Sequence, residues 1–325
     1  MFEDGSIEAA DRLVEEWIPT YGRDGILHGH IRWHQALGAL EHGDAQRALA
    51  IYADVLQPSV TRAPPLNAVT DSASLLWRLS AYGHAVPKAL WVEADAAAQQ
   101  LFPKSSLSFA EVHMALFAAA TQNREALAQR LAVIEQRLAD GKLPAGPVVP
   151  AICRALAAFA DEDYVSCVHA LAPVLGEVVR IGGSHAQREL IEDTYIVALM
   201  RSGELPRARA LLDTRLHRRP SLRDRRWQAA WASSPGRLRH EKNIAPAASA
   251  DRTGWAIGTN RHRGRRSGIP DGSCSTNEIA TYLRFDGSRA ELILRRSSLA
   301  YEPADAPLPT VLRRAARDIG KPLFC

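Results

Sequence analysis

Two histidines near the start of the chain have a spacing that suits chemistry. His30 and His34 are four residues apart, which places two imidazoles on one helix face, as in helical zinc sites. No Glu follows His30, so the HExxH pattern of metalloproteases is missing. A third ligand would have to come from elsewhere, and the candidates are His113, His185, Asp71 and Glu189. The pattern favours histidines that line a groove or bond to neighbouring helices, and we predict no metal.

A second candidate is the segment IGGSHAQR at residues 181–188. The Gly pair is typical of a helix end, and Ser184 followed by Gln187 three residues later predicts a capping box at the start of the next helix. Two interpretations stay open. The free N–H groups beside Arg188 suit an anion, whereas a tight turn between helices also requires glycine. The sequence favours the tight turn, because no phosphate-loop pattern surrounds it.

Catalytic patterns are weak. Ser184, His185 and Asp193 are hydrolase residue types, but no GxSxG elbow is present and adjacent Ser-His does not form a usual triad. Cys153 and Cys167 fall on apolar helix faces, which predicts packing in the core. We therefore predict no catalytic residue and no cofactor. The candidate groove or partner-binding residues are polar or aromatic side chains in three segments: His30, Trp33, His34, Asp71, Arg78, Ser184, His185, Gln187 and Arg188.

Helices must position these side chains, and residues 28–58 have the pattern of two helices joined by a short break. Apolar residues recur at helical spacing, Gly43-Asp44 interrupts the run, and a second stripe follows until Pro58. Similar breaks at Asn123, Glu162 and Gly203 are about 40 residues apart. We predict an all-α fold, an α-α superhelix or tetratricopeptide-like solenoid of helical hairpins, with a low-order C-terminal tail. A stack of four-helix bundles is the alternative.

Composition sets the broad class. Hydrophobic residues make up 46% of 325 residues, enough for a sizeable core. Four cysteines form no CxxC pair, the acidic N-terminus lacks the apolar region of a signal peptide, and no apolar run is long enough to span a bilayer. These observations predict a cytoplasmic protein without a membrane span.

Charge divides the chain in two. Residues 233–325 hold 16 Lys/Arg against 9 Asp/Glu, although the whole chain has a net charge of only +4. We predict a solenoid at 1–232 and a basic, disordered or weakly folded extension at 233–325. Within the extension, Asp286-Gly287 between apolar residues suits a strand–turn–strand. The basic run 216–227 suits a helix end, where Arg complements the helix dipole. Nucleic-acid binding is not expected from the short cluster RHRGRR alone.

With the hairpins placed, the chain resembles the tetratricopeptide repeat protein 38 family over about residues 12–230. The resemblance rests on DSASLLWRL at residues 71–79, on an IGGS-x-AQR motif at residues 181–188, and on a His, Trp-His, Ala-Leu, Glu-x-Gly pattern. That pattern is carried by His30, Trp33-His34, Ala36-Leu37 and Glu41-His42-Gly43. The resemblance implies helical repeats and no known catalytic reaction.

Two departures from that family matter. Its members carry further repeats upstream of the histidine segment, and the extension after about residue 232 does not match it. The chain is similar to the C-terminal half of such a protein, as from a truncated or frame-shifted gene. The helix at residues 8–18 would then lack a partner for its apolar face, and this uncapped N-terminal end predicts self-association.

The functional prediction follows from the repeats. We expect a non-catalytic tetratricopeptide-repeat protein that binds a protein or peptide partner in the groove of the solenoid. The alternative is a metal-dependent or hydrolytic enzyme that uses His30, His34 and the turn at residues 181–188.

Overall fold

The computed structural model describes residues 4–105, 107–232, 279–286 and 289–296. The described helices belong to one contact unit and the two strands to another. Residues 4–232, as far as they are described, contain helices and no strand, so this part is all-α. Its α-helices are α1 (Ile7–Trp17), α2 (His28–His42), α3 (Ala45–Ile51), α4 (Pro65–Ala81), α5 (Lys88–Leu101), α6 (Ser108–Ala120), α7 (Arg124–Ala139), α8 (Val148–Ala160), α9 (Tyr164–Leu171), α10 (His185–Arg201), α11 (Leu205–Arg218) and α12 (Leu222–Ala232). A 3₁₀ turn at Ile18–Thr20, a π-helical turn at Tyr52–Leu56 and a 3₁₀ stretch at Leu175–Ile181 complete it.

The hairpin breaks share one backbone device. The first helix of a hairpin ends in a residue with positive φ, and that residue and the next donate N–H bonds back to the last turn, as in a Schellman motif. An N-cap residue then starts the second helix. The left-handed residues at these breaks are Gly43, Gln122, Glu162 and Gly203, and the capping residues after them are Asp44, Asn123, Asp163 and Glu204.

Helix α4 is the centre of the helical unit. Residues 69–79 are all buried, so the helix has no solvent-facing side over three turns. It contacts α2, α5, α6 and α10. Its polar side chains bond to those neighbours: Tyr52 and Ser72 hydroxyls share a bond, Trp33 Nε1 donates to Ser74 Oγ, and Trp77 Nε1 donates to Thr194 Oγ1.

The contact between α4 and α10 departs from an open solenoid, in which each hairpin touches only its neighbours along the chain. Trp77 reaches Thr194 over a distance of 3.0 Å, and Arg201 Nη2 donates to Ala81 O at 2.9 Å. Residues about 120 apart in the chain thus pair in parallel order along the two helices. The hairpins close on α4 and leave no open groove between α4 and α10.

The N-terminal edge is covered, which corrects the prediction of an uncapped end. Helix α12 packs against α2, and Arg226 Nη1 donates to His42 O at 2.7 Å. On α1, Ile7 is buried and faces Gly38 of α2, while Leu13 and Trp17 are half-buried. The apolar face of α1 therefore packs on α2 at Ile7, and Leu13 and Trp17 stay half-exposed.

A buried ion-pair network holds this closure. It contains four arginines and four carboxylates, all buried, so its formal charges balance. Its members come from α2, α4, α10, α11, α12 and the turn before α12: Glu41, Arg78, Glu189, Asp193, Arg215, Arg219, Arg223 and Asp224. The basic run 216–227, read from the sequence as a helix end that complements a dipole, therefore also supplies buried ion-pair partners.

Asp193 lies at the middle of this network. Arg215 Nη1 donates to Asp193 Oδ1 at 2.7 Å, and Arg223 Nη2 lies 3.3 Å from the same oxygen. Burial alone raises the pKa of Asp193, but Arg223, Arg215 and Arg78 outweigh it and hold that pKa well below its usual value. Tyr82, which donates to Asp193 at 2.5 Å, has a pKa raised by burial.

Two local details differ from the expected helices. The long second helix expected after Asp163 is interrupted near Pro173, where α9 ends and the 3₁₀ stretch follows, because proline lacks the N–H that helix continuation needs. Helix α4 begins at Pro65, and proline is well suited to a first helical position.

No single described helix is long and apolar enough to cross a bilayer. Two consecutive segments, Tyr164–Leu171 and Leu175–Ile181, pass by length and composition only when taken together, and they are bent by 74°. Their large apolar side chains Val168, Leu171 and Ile181 lie in the core.

The strand unit is a two-stranded antiparallel hairpin. β1 (Ile279–Asp286) pairs with β2 (Arg289–Arg296), with Ile279 opposite Arg296 and Asp286 opposite Arg289. This is the place where the DG pair predicts a strand–turn–strand. The other residues of 233–325, which carry the predicted low-order extension and the cluster RHRGRR, lie outside the described part.

Candidate functional site

Arg78 brings together the three segments that the sequence singled out. Its Nη2 donates to the backbone oxygen of Ala186, at the start of α10, at 2.6 Å. Its guanidinium carbon lies 5.7 Å from the ring centroid of Trp33 on α2, within cation–π range. Since Arg78 itself belongs to α4, three segments far apart in the chain meet around one buried side chain. We call this region the hub site, defined by His30, His34, Asp71, Arg78 and His113.

His30 is oriented by Asp71. The His30 Nδ1–H donates to Asp71 Oδ2 at 2.9 Å, and the Asp71 carboxylate is only 1% exposed. Burial by itself lowers the pKa of His30, but the charge of Asp71 and its hydrogen bond more than offset this, so the pKa of His30 is raised. A carboxylate behind an imidazole fixes the tautomer and orientation of the ring, as in acid–base sites.

The pKa of His34 is shifted in the opposite direction. Its ring meets the His30 ring edge-on at a centroid distance of 5.0 Å and also touches Trp33. Burial lowers the pKa of His34 well below the usual value, and the nearby charges of His30 and Arg78 lower it further. The pKa values of two histidines one helical turn apart are therefore shifted in opposite directions.

His113 of α6 is the member that sequence reasoning placed only as a distant metal-ligand candidate. Its Nδ1–H donates to Phe109 O at 2.7 Å, and burial lowers the pKa of the ring to about 4. The hydrogen bond to Phe109 O and the charge of Asp71 raise that pKa, and the charge of Arg78 lowers it, but burial has the largest effect. A neutral ring that donates from Nδ1 has a lone pair on Nε2. A polar residue in the apolar helix FAEVHMALFAAA was the one available signal.

Three polar atoms of the hub site are buried and have no hydrogen-bond partner among the residues that the structure describes: Asp71 Oδ1, Arg78 Nη1 and His113 Nε2. The three side chains are each no more than 2% exposed. Buried polar groups are nearly always paired, because an unsatisfied one costs about 1–3 kcal/mol. The three atoms therefore leave hydrogen-bonding capacity unused in the buried part of the helical unit.

The turn at residues 181–188 contains the predicted capping box. Gln187 N donates to Ser184 Oγ at 3.2 Å, and Ser184 N donates to Gln187 Oε1 at 2.7 Å. Gly183 has φ +78°, and a Cβ there would lie 2.5 Å from the Phe109 ring. Arg188 donates back to Gly183 O. The contacts support the tight-turn interpretation. An anion would need free backbone N–H groups, but those of Ser184 and Gln187 already donate to side chains of the capping box, and the Phe109 ring lies against Gly183.

Burial corrects part of the predicted groove. Trp33, Asp71 and Arg78 are between 0% and 3% exposed, so a macromolecular partner does not reach them directly. The remaining predicted site residues are half-buried, at one end of α2 and of α10: His30, His34, Ser184, His185, Gln187 and Arg188. We call these six the rim. The nine residues therefore form a buried centre and an accessible border instead of one open groove.

The metal and nucleophile alternatives gain no support from the geometry. Among the described residues no three His, Cys, Asp or Glu side chains are grouped so that they could hold a metal ion. Glu189, a sequence candidate for a third ligand, instead accepts from Arg219 in the ion-pair network. Burial raises the pKa values of Cys153 and Cys167 to about 12, which keeps both thiols protonated and unreactive.

Two open clefts lie elsewhere on the helical unit. One, of about 580 Å³, is lined mainly by residues 53–62 and Arg23; the other, of about 480 Å³, lies between α1, α2 and α3. Their arginines pair with acidic neighbours, as Arg23 does with Asp54 and Arg47 with Asp11. Neither cleft contains hub-site or rim residues.

No protein-family model matches the chain, and no solved structure matches it. The resemblance to the tetratricopeptide repeat protein 38 family stays a prediction. The case for function rests on the geometry of the hub site and its rim.

Proposed function

We propose that the chain is a non-catalytic binding protein built from tetratricopeptide-like hairpins, and that a protein or peptide partner contacts it at the rim. The partner is of the class that the sequence predicts, a protein or peptide. Its contact lies at the rim and not along a long open groove. A polar group of that partner reaches past His30 and His34 towards the hub site. The cytoplasmic location predicted from composition belongs to the same proposal.

One observation carries it. The histidine segment of α2, the segment around Asp71 and Arg78 on α4, and the start of α10 meet through Arg78. Residues selected from the sequence for their chemistry, more than 100 positions apart, are thus adjacent in space. Such convergence of half-buried polar side chains above unsatisfied buried ones is typical of a binding site.

The superhelix is part of the proposal. In a regular solenoid the stacked hairpins leave a concave face for partners. Here we propose a tightly wound α-α superhelix, because α10 returns to α4 and α12 returns to α2. The winding fills the concave face with α4 and leaves the rim as the accessible part.

The non-catalytic assignment follows from how the possible nucleophiles near the hub site are used. Ser74 accepts from Trp33, and Ser184 is engaged in the capping box. Self-association also stays a prediction, although the uncapped N-terminal edge that motivated it is covered by α12.

A site-specific crosslinking experiment tests the proposal. A photoreactive residue in place of Arg188, on the rim, is compared with one in place of Val165 on α9, which is exposed at 52%. We expect a reproducible partner crosslinked from position 188 only. The same set of proteins from both positions, or none from position 188, contradicts rim binding. His185→Ala should then weaken the affinity of the recovered partner.

The hydrolytic alternative has one specific observation in its favour, the His30–Asp71 hydrogen bond of 2.9 Å. A carboxylate-oriented imidazole can serve as a general base for water. This alternative predicts turnover of an ester or amide substrate that is abolished by His30→Ala. Its metal-dependent form further predicts stoichiometric zinc that is lost in His30→Ala and His34→Ala. Purified protein with neither property excludes it.

A further inference from the structure

We infer that the cleft between α1, α2 and α3 binds a small carboxylate with a short apolar chain, and that Arg32 is the main anchor of its charge. The cleft has a volume of about 480 Å³, within the usual range for small-molecule sites. We call it the arginine cleft, because Arg32 of α2 and Arg47 of α3 both line it. It contains no rim residue, so the inference goes beyond the proposed partner binding.

Arg47 already has its full set of partners. Its Nη1 and Nη2 donate to the two carboxylate oxygens of Asp11 at 2.7 and 3.0 Å, and Nη2 also donates to Glu15 at 2.6 Å. The hydrogen bond to Asp11 is the largest cause of the raised pKa of Arg47. Arg47 therefore forms a wall of the cleft and holds Glu15 of α1 beside it.

Arg32 is less well compensated. Its Nη1 donates to Gln35 Oε1, which is a neutral acceptor. Its Nη2 lies 3.6 Å from Asp54 Oδ2, too far for a hydrogen bond, while Asp54 Oδ1 accepts from Arg23 at 2.8 Å. Burial lowers the pKa of Arg32, the charge of Asp54 offsets only part of this, and the charges of Arg47 and Arg23 lower it further. A carboxylate at Nη2 would give Arg32 a charge-assisted hydrogen bond, which is among the strongest kinds.

The pairing of the other charges favours an anion over a cation. The two carboxylates that line the cleft, Glu15 and Asp54, accept from Arg47 and Arg23 at 2.6 and 2.8 Å. An ammonium ligand would have to break one of these pairs, whereas a carboxylate meets Arg32 without breaking either. Glu15 and Asp54 are 56% and 47% exposed, so water and salt weaken their repulsion of an anion.

Apolar side chains offer contact to the rest of the ligand. Ile18, Ala50 and Ile51 line the same cleft. The cleft is open to solvent, since the side chains of Arg32 and Arg47 are 21% and 33% exposed. A short hydrocarbon chain that lies on these residues leaves its carboxylate at the guanidinium of Arg32.

The test uses the full chain and three probes: butyrate, its neutral amide butyramide, and acetate. The Nε–H signals of the arginine side chains are recorded by NMR at neutral pH during titration with each probe. We expect butyrate to shift the Arg32 signal in a saturable way. Butyramide should bind about tenfold more weakly or worse, because it forms no charge-assisted bond. Acetate should bind roughly fivefold to tenfold more weakly than butyrate, because two fewer methylene groups are buried.

Three variants complete the design, with butyrate binding measured from the backbone amide signals of Ala50 and Ile51. Arg32→Gln removes the charge and should lower the affinity about tenfold or more. Arg32→Lys keeps the charge but not the planar fork, so it should retain part of the affinity. Arg124→Gln is the matched control, because Arg124 also forms an ion pair, with Asp161 at 2.8 Å, but lies outside the cleft.

Butyrate binding that is lost in Arg32→Gln, partly kept in Arg32→Lys and unchanged in Arg124→Gln supports the inference. Shifts that never saturate, or butyramide that binds as tightly as butyrate, overturn it. An equal loss in Arg32→Gln and Arg124→Gln also overturns it, because the lower net charge of the chain would then explain both results. Unchanged binding in Arg32→Gln places the carboxylate elsewhere and has the same consequence.

Discussion

At the scale of single residues, the hub site shows one residue type in three environments. His30 is held by a carboxylate, His34 lies against another imidazole and near a guanidinium, and His113 bonds only to a backbone oxygen. Sequence spacing predicted that His30 and His34 share a face, because helical periodicity is local. It did not predict the role of His113, because its neighbours on α2 and α4 are set by packing between distant segments.

His113 should make the protein sensitive to acid. The unfolded ring has a pKa of 6.5 and the folded ring one of about 4, so the unfolded state binds the proton first as pH falls. Stability is therefore lost as pH falls from 6.5 towards 4, by on the order of 3 kcal/mol. In His113→Phe this loss should disappear from denaturant unfolding measured at both pH values, whereas His217→Phe should retain it. An unchanged acid sensitivity in His113→Phe contradicts the assignment.

At the scale of elements, the hairpin breaks could be predicted because their signals are local. Gly43 and Gly203 have the positive φ that glycine tolerates, and capping residues follow directly. The interruption of α9 near Pro173 was missed, although proline is itself a local signal, because the apolar pattern continues through it.

Glu162 offers a direct test of the break geometry, since it has φ +59°. Glu162→Gly should stabilise the protein by roughly 0.5–1 kcal/mol, because glycine avoids the left-handed strain of a side chain. Gly203→Ala should have the opposite effect, a loss of about 1 kcal/mol in the free energy of unfolding. No described atom lies within 4 Å of the added Cβ, so a steric clash does not contribute to this loss. Both values come from chemical denaturation. Changes of the same sign in the two variants would contradict the backbone explanation.

At the scale of the whole helical unit, closure depends on pairs that sequence patterns do not show. Ser221 Oγ donates to Glu41 Oε2 at 2.8 Å, across 180 positions of the chain. The arginines at positions 219 and 223 belong to the run that was read as a helix end, because a sequence shows composition but not partners. The hairpin count was predictable, whereas the return of the last hairpin to α4 was not.

Replacing the central carboxylate of Asp193 should lower the free energy of unfolding of the helical unit. Asp193→Asn leaves the buried network with four arginines against three carboxylates, and we expect a loss of about 3–5 kcal/mol for the unbalanced buried charge. The loss should persist in high salt, because buried charges are poorly screened. Arg124→Ala breaks the exposed pair with Asp161, in which Arg124 is 75% exposed, and should cost less than about 1 kcal/mol. A loss of similar size in both variants, measured by urea unfolding, would argue against a structural role for the network.

The central claim is that α2, α4 and α6 meet at the hub site, and a histidine titration by NMR tests it most directly. Asp71→Asn on α4 keeps the shape of the side chain and removes its charge. The charge of Asp71 raises the pKa of His30 on α2 and partly offsets the burial that lowers the pKa of His113 on α6, so both pKa values should fall in the variant. Unchanged titration of His30 and His113 in Asp71→Asn would show that the three helices do not meet there.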